Sequence, residues 1–461
     1  MPSEPADFEP ALIQRYDRRG PRYTSYPTAA QFGAFSADDY TQAVGRANAA
    51  HPDAPLSVYV HVPFCGSPCY YCGCTRVISR HPGRPLRYLA RLLHEIELQA
   101  ALFEGRRPIE QLHFGGGTPT HFTDDQLATV LSALRQHFGF ARAAAREFSI
   151  EIDPRTVDGR RLAHLREMGF DRLSLGVQDI DPTVQAAINR LQSTEHLRAL
   201  MAVARDLGFR SLSMDLVYGL PRQTPERFAR TLDLVVDTAP DRVAIYGYAH
   251  LPSQFRAQRM IHDDELPDAG GRLALLQSAV KRLTAAGYVH IGMDHFAHPD
   301  DALAKAARNH RLQRNFQGYS TRAGLDLLGL GMSAISRLGG AYSQNSRSLR
   351  DYEAALDLNR LPVERGRWLS DEDRLRGAVI EQLLCGRAVR FSQLSAQFGV
   401  DVRQHFAAAL AALAPAVEDR LMTLSDERLE VTSRGRFLLR ALAMPFDAYL
   451  AGPAGIGARL L

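Results

Sequence analysis

Four of the five cysteines in this sequence of 461 residues lie within one ten-residue segment, CGSPCYYCGC at positions 65–74. Three residues separate Cys65 from Cys69, two separate Cys69 from Cys72, and one separates Cys72 from Cys74. The chain starts with the polar segment MPSEPADFEP and has no run of 18 apolar residues, so we expect a cytoplasmic protein without a membrane span. Disulfides are rare in that compartment, and the clustered thiols are therefore expected to bind a metal or to do redox chemistry.

Three kinds of thiol site use cysteines at short spacing. A structural zinc site usually takes its ligands from two well-separated pairs, and this sequence has no second pair. A thioredoxin-like site uses one CxxC pair and leaves Cys65 and Cys74 without a role. Iron–sulfur clusters are held by thiolates on close loop spacings, although the first gap here is one residue longer than in the ferredoxin-type run. The spacing favours an iron–sulfur cluster and leaves the other two sites as alternatives.

Glycine-rich and polar segments follow several other predicted strands. GGGTPT at 115–120 is neither a P-loop, because no GK[ST] follows, nor a GxGxxG dinucleotide turn. Consecutive glycines let backbone groups approach a ligand closely. Four polar residues occur at or just beyond later strand ends, where alone they would be interpreted as solvated loop groups or rim ion pairs: Glu151, Gln178, Arg190 and Asp215.

The scaffold for these residues is a unit that repeats from about residue 55 to 335: a short β-rich apolar run, a polar turn and a helical stretch. A capping box at Thr123 and Gln126 marks one helix start, and Asp181 before a proline marks another. This alternation predicts parallel strands with right-handed crossovers, and hence an α/β barrel-type fold. In a barrel the strand carboxyl ends share one face, where HVPFC, HFGGGTP, EIDP, GVQ, DLVYGLP and YAHLP are expected to meet.

Both ends of the chain depart from the repeat. Residues 1–53 include RRGPRYTSYPTA and are predicted to form an extended arm. Residues 54–354 are assigned to the barrel, and residues 355–461 to a mainly helical domain that covers the active site. The helices and hairpin-like LMTLSDERLEVT of that domain are similar to a winged helix. Its arginines are scattered among acidic residues, however, so we expect no nucleic-acid binding.

The composition, with 45% hydrophobic and 23% charged residues, is typical of a globular protein with a large core. The net charge is +4, and nearly all positive charge is arginine because only Lys281 and Lys305 are lysines. A coding bias explains this, or a preference for guanidinium groups, which suit carboxylates and phosphates better than ammonium groups do.

The CxxxCxxC triplet on a loop after the first barrel strand resembles the signature of the radical S-adenosylmethionine (SAM) superfamily. The resemblance implies that Cys65, Cys69 and Cys72 hold three irons of a [4Fe–4S] cluster, while SAM binds the fourth iron. It also implies that an electron from the cluster cleaves SAM to a 5′-deoxyadenosyl radical. The cofactor then supplies the hard chemistry, and the protein positions and shields it.

Motifs along almost the whole chain are similar to one family, the bacterial oxygen-independent coproporphyrinogen III oxidases (dehydrogenases). These motifs are GPRYTSYPTA, YVHVPFCGSPCYYCGC, LHFGGGTPT, SIEIDPR, LSLGVQD, DLVYGLPRQTPE, YAHLP, GMDHFAHPDD, NFQGYST and LLGLGMSAIS. The resemblance implies decarboxylation of two propionates of coproporphyrinogen III to vinyl groups, giving protoporphyrinogen IX. It also implies an incomplete, three-quarter TIM-type (β/α)6 barrel, a monomer, and a low-potential electron donor such as flavodoxin or ferredoxin.

The family binds two SAM molecules close together, and the resemblance extends that expectation to this chain. The positions expected to line the two sites are Tyr59, Tyr71, Gly115, Gly116, Gly117, Thr118, Glu151, Gln178, Arg190, Asp215, Ala249 and Ile335.

Three residues are expected to serve catalysis: Cys74, His61 and Arg22. Cys74 is not expected to bind the cluster, because SAM takes the fourth iron, and is assigned to substrate turnover or to the second SAM. His61 is preferred over the other strand-end histidines, at 113, 250 and 295, because it precedes the cysteine segment. Arg22 belongs to a group of arm arginines, with those at 15, 18 and 19, that either dock the substrate carboxylates or pack on the barrel.

Two other protein classes share parts of this pattern. A haem chaperone resembling the oxidase has the barrel and the triplet but transfers haem, and radical SAM methyltransferases or haem-opening enzymes have a similar layout. The arm segment GPRYTSYPTA, Cys74 and the NFQGY segment favour the oxidase.

Overall fold

The computed structural model describes residues 9–103, 107–322 and 324–450. Its strands, in chain order, are β1 (Gly33–Ala34), β2 (Leu56–Val62), β3 (Phe64–Cys65), β4 (Val77–Ile78), β5 (Ile109–Gly116), β6 (Glu147–Ile152), β7 (Arg172–Gln178), β8 (Ser211–Tyr218), β9 (Arg242–Gly247), β10 (Val289–Gly292), β11 (His295–Ala297), β12 (Gln313–Asn315), β13 (Gly318–Ser320), β14 (Asp326–Leu330), β15 (Ile335–Leu338), β16 (Ala341–Asn345), β17 (Val363–Trp368), β18 (Val389–Arg390), β19 (Met422–Leu424) and β20 (Arg428–Val431).

The α-helices alternate with these strands in the first two thirds of the chain and dominate the last third. They are α1 (Pro10–Tyr16), α2 (Ala37–Ala50), α3 (Gly83–Ala100), α4 (Asp124–His137), α5 (Gly159–Glu167), α6 (Pro182–Ala187), α7 (Thr194–Asp206), α8 (Pro225–Thr238), α9 (Ala269–Ala285), α10 (Ala302–Arg308), α11 (Leu349–Asp357), α12 (Asp371–Leu384), α13 (Phe391–Phe398), α14 (Val402–His405), α15 (Ala407–Ala412), α16 (Ala414–Glu418) and α17 (Leu439–Ala443). In the described part of the chain, no helix combines the length and apolar character that crossing a bilayer requires.

One sheet of 13 strands organises the molecule, and its central part is the predicted (β/α)6 unit. Strands β2, β5, β6, β7, β8 and β9 lie side by side in chain order, and every neighbouring pair is parallel. Helices α3, α4, α5, α7 and α8 connect them. Strand β14 adds a parallel neighbour on the other side of β2. The prediction of an α/β fold with a parallel sheet is confirmed.

Antiparallel strands extend both edges of this unit. Strands β11 and β10 follow β9 at one edge, and β15, β16, β17 and β1 follow β14 at the other. The sheet order begins at β1 and ends at β10, so the described strands form an open sheet instead of a closed barrel. Strand β2 is buried at six of its seven positions, as expected for a parallel strand covered on both faces.

Local sequence explains where the crossover helices begin. Helix α4 starts with the predicted capping box, in which Thr123 Oγ1 accepts from Gln126 N at 3.3 Å and Gln126 Oε1 accepts from Thr123 N at 3.0 Å. Asp181 caps helix α6 by accepting from the backbone N–H of Thr183. These caps fix the points at which the chain leaves the strand ends.

The C-terminal part contains helices α12 to α17 and the small sheet β18-β20-β19, and its core also includes arm residues such as Ile13 and Tyr23. The large sheet continues past residue 354, because β17 pairs with β16 and carries the arm strand β1 on its other side. The divisions after residues 53 and 354 stay predictions.

Candidate active site

The carboxyl ends of the parallel strands surround a cavity of about 1000 Å³. Most of the predicted site residues line it: Arg22, Cys65, Cys69, Tyr71, Cys72, Cys74, Gly116, Gly117, Thr118, Glu151, Gln178, Arg190, Asp215 and Ala249. Arm residues 20–24 and the C-terminal residues Asp447, Tyr449 and Leu450 line the cavity as well. The predicted meeting of strand ends at one site is therefore observed.

The cysteine segment is a loop clamped at its base. Strand β3 pairs in parallel with β4, so that Cys65 lies beside Ile78. Ser79 N donates to Cys65 O at 3.0 Å, and Val77 N donates to Pro63 O at 2.7 Å. Both ends of the loop are therefore held, and most residues between 65 and 76 line the cavity.

Guanidinium groups surround the loop thiols. Arg190 Nη1 and Arg155 Nη2 point at Cys69 Sγ, at 3.5 and 3.7 Å. Arg76 donates to the carbonyl oxygens of Cys69 at 3.3 Å and Cys72 at 3.0 Å. The guanidinium groups thus place positive charge beside the sulfur of Cys69 and fix the backbone on both sides of the CxxC pair.

The thiols themselves differ in their acid–base properties. A hydrogen bond from the Cys74 thiol and the nearby Arg76 charge lower the pKa of Cys72 to about 6. Burial raises the pKa of Cys65 to about 11, and its Sγ lies 3.4 Å from Thr118 Oγ1. The donor set fits an iron–sulfur cluster, which distributes its cysteines over separate irons. The described residues contain no group of three or more His, Cys, Asp or Glu side chains arranged around a single metal ion.

Asp153 and Arg155 are site residues that the sequence reasoning missed. Asp153 Oδ2 accepts from Arg155 Nη2 at 2.7 Å and from Arg190 Nη1 at 3.0 Å. Burial opposes ionisation of Asp153, but its hydrogen bonds with Arg155 and the charge of Arg190 prevail and lower its pKa. Asp153 thus aims both arginines at Cys69. The available signal was a charged pair, DPR, directly after a predicted strand.

The glycine segment lets strand β5 end against the cysteine loop. Gly116 has a φ of +120°, and a Cβ there would lie 2.7 Å from the His61 ring. A Cβ on Gly117 would lie 2.5 Å from the carbonyl oxygen of Pro63. A Cβ on Gly115 would meet a carboxylate oxygen of Glu151 at 2.9 Å. Close packing therefore requires glycine at 117, where the neighbour is backbone, and favours it at 115 and 116, where side chains would have to move.

His61 and Tyr59 lie beneath the loop and do not line the cavity. His61 Nε2 is 3.0 Å from Thr75 O, and its Nδ1 is 3.1 Å from the Tyr59 hydroxyl. Burial lowers the pKa of His61, which favours the neutral ring. These contacts suit a residue that positions the loop; the catalytic assignment of His61 stays a prediction.

Two carboxylates face the cavity opposite the cysteines. Glu151 Oε2 accepts from Gly116 N at 3.1 Å, and its Oε1 lies 3.2 Å from His113 Nε2. Asp215 accepts from the Ser174 hydroxyl at 3.0 Å. Burial, followed by the Glu151 charge, raises the pKa of Asp215 to about 7. Near neutral pH, Asp215 can therefore present either a carboxylate or a proton donor to a ligand.

The other residues that are predicted to contact SAM lie elsewhere in the cavity lining or outside it. Gln178 adopts a φ of +67° at the irregular end of β7, which turns the chain at the cavity. Buried Gln258, which the sequence did not single out, donates to the carbonyls of Tyr71 and Ala249 at 2.9 and 3.2 Å. Ile335 packs against an aromatic cluster that contains Phe32, outside the cavity lining.

Of the four arm arginines, only Arg22 lines the cavity in the described structure. Its Nη2 donates to the carbonyl oxygen of Gly247 at 3.0 Å. Arg15 instead pairs with Asp419 of the C-terminal part at 3.0 Å. The arginines at 18 and 19 do not line the cavity.

Comparisons with known proteins agree with this site. The radical SAM superfamily matches residues 59–235, and the HemN C-terminal domain matches residues 369–438. The chain is 48% identical over 441 residues to the oxygen-independent coproporphyrinogen III oxidase of Pseudomonas aeruginosa, covering 95% of each. It is 45% identical over 451 residues to the Escherichia coli enzyme of the same name, covering 98% of this chain and 97% of the relative.

A solved structure matches over the same length. It is that of coproporphyrinogen III oxidase (HemN) from Escherichia coli, which is described as a radical SAM enzyme. The TM-score is 0.92 at 44% sequence identity, covering 97% of this chain and 100% of that one. This chain belongs to the oxygen-independent coproporphyrinogen III oxidase family of the radical SAM superfamily.

Proposed function

We propose that this protein oxidises coproporphyrinogen III without oxygen and forms protoporphyrinogen IX. Two propionate side chains would each lose one hydrogen atom, CO2 and one electron to become vinyl groups. The observation that carries this proposal is the convergence of the cysteine triplet, the glycine segment and two carboxylates on one cavity, in a chain similar over its whole length to oxidases of that name.

We propose Cys65, Cys69 and Cys72 as ligands of a [4Fe–4S] cluster and two SAM molecules as its companions. When bound, these groups would supply the one-electron chemistry that removes the hydrogen atom. Arg155 and Arg190 place guanidinium groups beside Cys69 Sγ, and Arg76 fixes the loop through backbone carbonyls.

The SAM contacts are proposed for the predicted residues that line the cavity. Tyr59, Gly115 and Ile335 lie outside the lining, and for these we propose support of the wall. Residues of the arm and of the C-terminal part line the cavity as well, and we propose that they help to shield the reaction from water.

Arg22 is our candidate for binding a substrate carboxylate. It lines the cavity, it donates a hydrogen bond to a backbone carbonyl, and it forms no ion pair within the described residues. The substrate carries four carboxylates, and a guanidinium with further N–H donors to offer suits one of them.

The proposal includes a low-potential one-electron donor, such as flavodoxin or ferredoxin, because each turnover consumes electrons. We also propose that the protein is a monomer and that it works in the cytoplasm.

The test is anaerobic reconstitution with iron and sulfide, followed by SAM, dithionite and coproporphyrinogen III. We expect protoporphyrinogen IX, measured by fluorescence after oxidation, together with CO2. SAM cleavage without decarboxylation, with haem retained by the protein, would overturn the oxidase in favour of a haem chaperone.

A further inference from the structure

We propose that the outer side of the cysteine loop is a docking surface for an acidic one-electron carrier protein. The surface, here called the arginine face, consists of Ile78, Arg80, Arg84, Leu86 and Arg87. This inference rests on the proposed function, because only a reduced iron–sulfur centre behind that loop would require such a partner.

The first observation is the charge of the segment. No acidic residue occurs between Asp53 and Glu95, whereas arginine occurs at positions 76, 80, 84, 87 and 91. Arg76 is committed to the loop carbonyls, and Arg91 pairs with Asp357 at 3.0 Å. The other three arginines are exposed and form no ion pair with the described residues.

The second observation is the placement of these charges at the start of helix α3. A helix start carries partial positive charge, and acidic side chains there are stabilising. Helix α3 has no acidic residue in its first turn, as is also true of α5, α9 and α10, and it carries Arg84 there, with Arg87 three residues on along the same side. The partial positive charge of the helix start therefore adds to the arginine charges and favours an acidic partner.

The third observation is the short connection to the cysteine loop. Arg80 Nε donates to the carbonyl of Gly66, the residue after Cys65, at 3.1 Å. Ile78 is the strand partner of Cys65 across the β3–β4 ladder. The arginine face is therefore the exposed back of the loop that would hold the cluster, and electron transfer becomes faster as the distance shortens.

The apolar members fit a transient protein partner. Ile78 and Leu86 are 40% and 56% exposed, which is high for large aliphatic side chains. Complementary charge steers such encounters, and small apolar contacts hold them briefly. A carrier with an acidic rim around its redox group matches both features. In each encounter the carrier would be oxidised by one electron and the iron–sulfur centre reduced by one, with no bond made or broken.

The experiment measures binding and electron transfer separately. Reconstituted wild-type protein is compared with Arg80→Glu/Arg84→Glu/Arg87→Glu, using flavodoxin as the acidic probe. The matched control, Lys281→Glu/Arg311→Glu/Arg390→Glu, changes the net charge equally at exposed positions on α9, after α10 and on β18. The Kd for oxidised flavodoxin is measured at low and high salt, and the oxidation of pre-reduced flavodoxin, freed of excess reductant, is followed by stopped flow.

We expect the arginine-face variant to bind flavodoxin about tenfold more weakly than wild type or control at low salt. We also expect the wild-type Kd to rise with ionic strength, because screening weakens exposed charges. Product formation driven by dithionite should be equal in wild type, the control and Arg84→Glu/Arg87→Glu, which retains the bond from Arg80 to Gly66. Equal Kd values for wild type and the arginine-face variant would overturn the docking inference, whatever the activity.

Two further measurements keep the outcomes distinct. Arg84→Glu/Arg87→Glu retains Arg80 and its bond to Gly66, so weaker binding by this variant also supports the inference if the triple variant does not fold. Wild type that forms no product with dithionite contradicts the proposed function, and the Kd comparison then still decides the docking surface.

Discussion

Arg190 connects the cysteine loop to the barrel through a single side chain. It is buried, contacts Cys69 Sγ, and pairs with Asp153, whose side chain is only 10% exposed. A buried carboxylate that loses a charged partner keeps its desolvation cost without compensation. The same interaction therefore contributes to stability and to the thiolate environment.

Arg190→Met should lower the free energy of unfolding by about 3 kcal/mol, because Asp153 then keeps only Arg155 as a charged partner. Urea denaturation of the metal-free protein measures this. Adding Asp153→Asn to Arg190→Met should recover part of the loss, since the unpaired charge is removed. A double variant less stable than Arg190→Met would contradict this explanation.

Cys74→Ser should retain the wild-type iron content of about four per chain, as in a [4Fe–4S] cluster. The serine hydroxyl can still donate to Cys72 Sγ, as the Cys74 thiol does. Cys69→Ser is the matched comparison and should lose most of the iron. Iron and sulfide analysis after anaerobic reconstitution checks both, and iron loss in Cys74→Ser would make that residue a cluster ligand.

At the scale of elements, the end of strand β5 must pass very close to the cysteine loop. The sequence predicted that glycines here meet a ligand, whereas the structure shows that they first meet their own chain.

Gly117→Ala should destabilise the protein by about 2 kcal/mol or more, because its Cβ would overlap the Pro63 carbonyl at 2.5 Å. Gly66→Ala is the control, since Gly66 lies in the neighbouring cysteine loop and a Cβ there would have no atom within 4 Å. Thermal and urea unfolding compare the two. Equal stability of both variants would show that the strand end can shift freely.

Helix α3 is joined to the loop after β14 by Glu95, which is fully buried. Glu95 accepts from Gly331 N at 2.7 Å, Tyr352 OH at 2.6 Å and Asn345 Nδ2 at 2.6 Å. Burial raises its pKa to about 7. The folded chain therefore keeps a proton near neutral pH that the unfolded chain releases above its ordinary pKa of 4.5.

The unfolding free energy of wild type should accordingly fall as the pH rises from 5 to 8, relative to that of Glu95→Gln, which cannot titrate there. The difference between the two proteins should change by on the order of 2 kcal/mol across this range. Urea denaturation at a series of pH values measures it. Parallel stability curves would contradict a raised pKa at Glu95.

The strands and crossover helices were predictable because hydrophobic runs and caps are local signals. The cysteine triplet and the carboxylates at strand ends, which the structure brings to one cavity, could be located from such local signals as well. Asp153, Arg155 and Gln258 could not, because their roles depend on loops that come together only in the folded chain. His61 and Tyr59 lie behind the cavity lining and not in it. The spacing of residues along a strand cannot distinguish these two positions.

At the scale of the whole molecule, the arm is held by the C-terminal part. Tyr23 OH donates to Asp447 at 3.0 Å, and Tyr16 OH donates to Asp419 at 2.7 Å. The sequence could not predict these contacts, since more than 400 positions separate the partners.

Tyr23→Phe should make the arm about fivefold more sensitive to limited proteolysis, because losing one hydrogen bond of about 1 kcal/mol increases local opening. Tyr288→Phe, which removes a hydroxyl bonded to Pro240 O, is the control and should leave arm cleavage unchanged. Cleavage sites are identified by mass spectrometry. Equal cleavage rates in the two variants would mean that other contacts hold the arm.

The cavity is lined both by Gly20, near the start of the described chain, and by Leu450, at its end. During synthesis on the ribosome, the cysteine loop emerges long before the C-terminal residues that line the cavity. A fragment limited to residues 59–235 would likewise contain the cysteine triplet but lack the arm and C-terminal residues that line the cavity. We therefore expect the nascent chain to expose the cysteine segment to iron and sulfide before Leu450 and its neighbours complete the cavity.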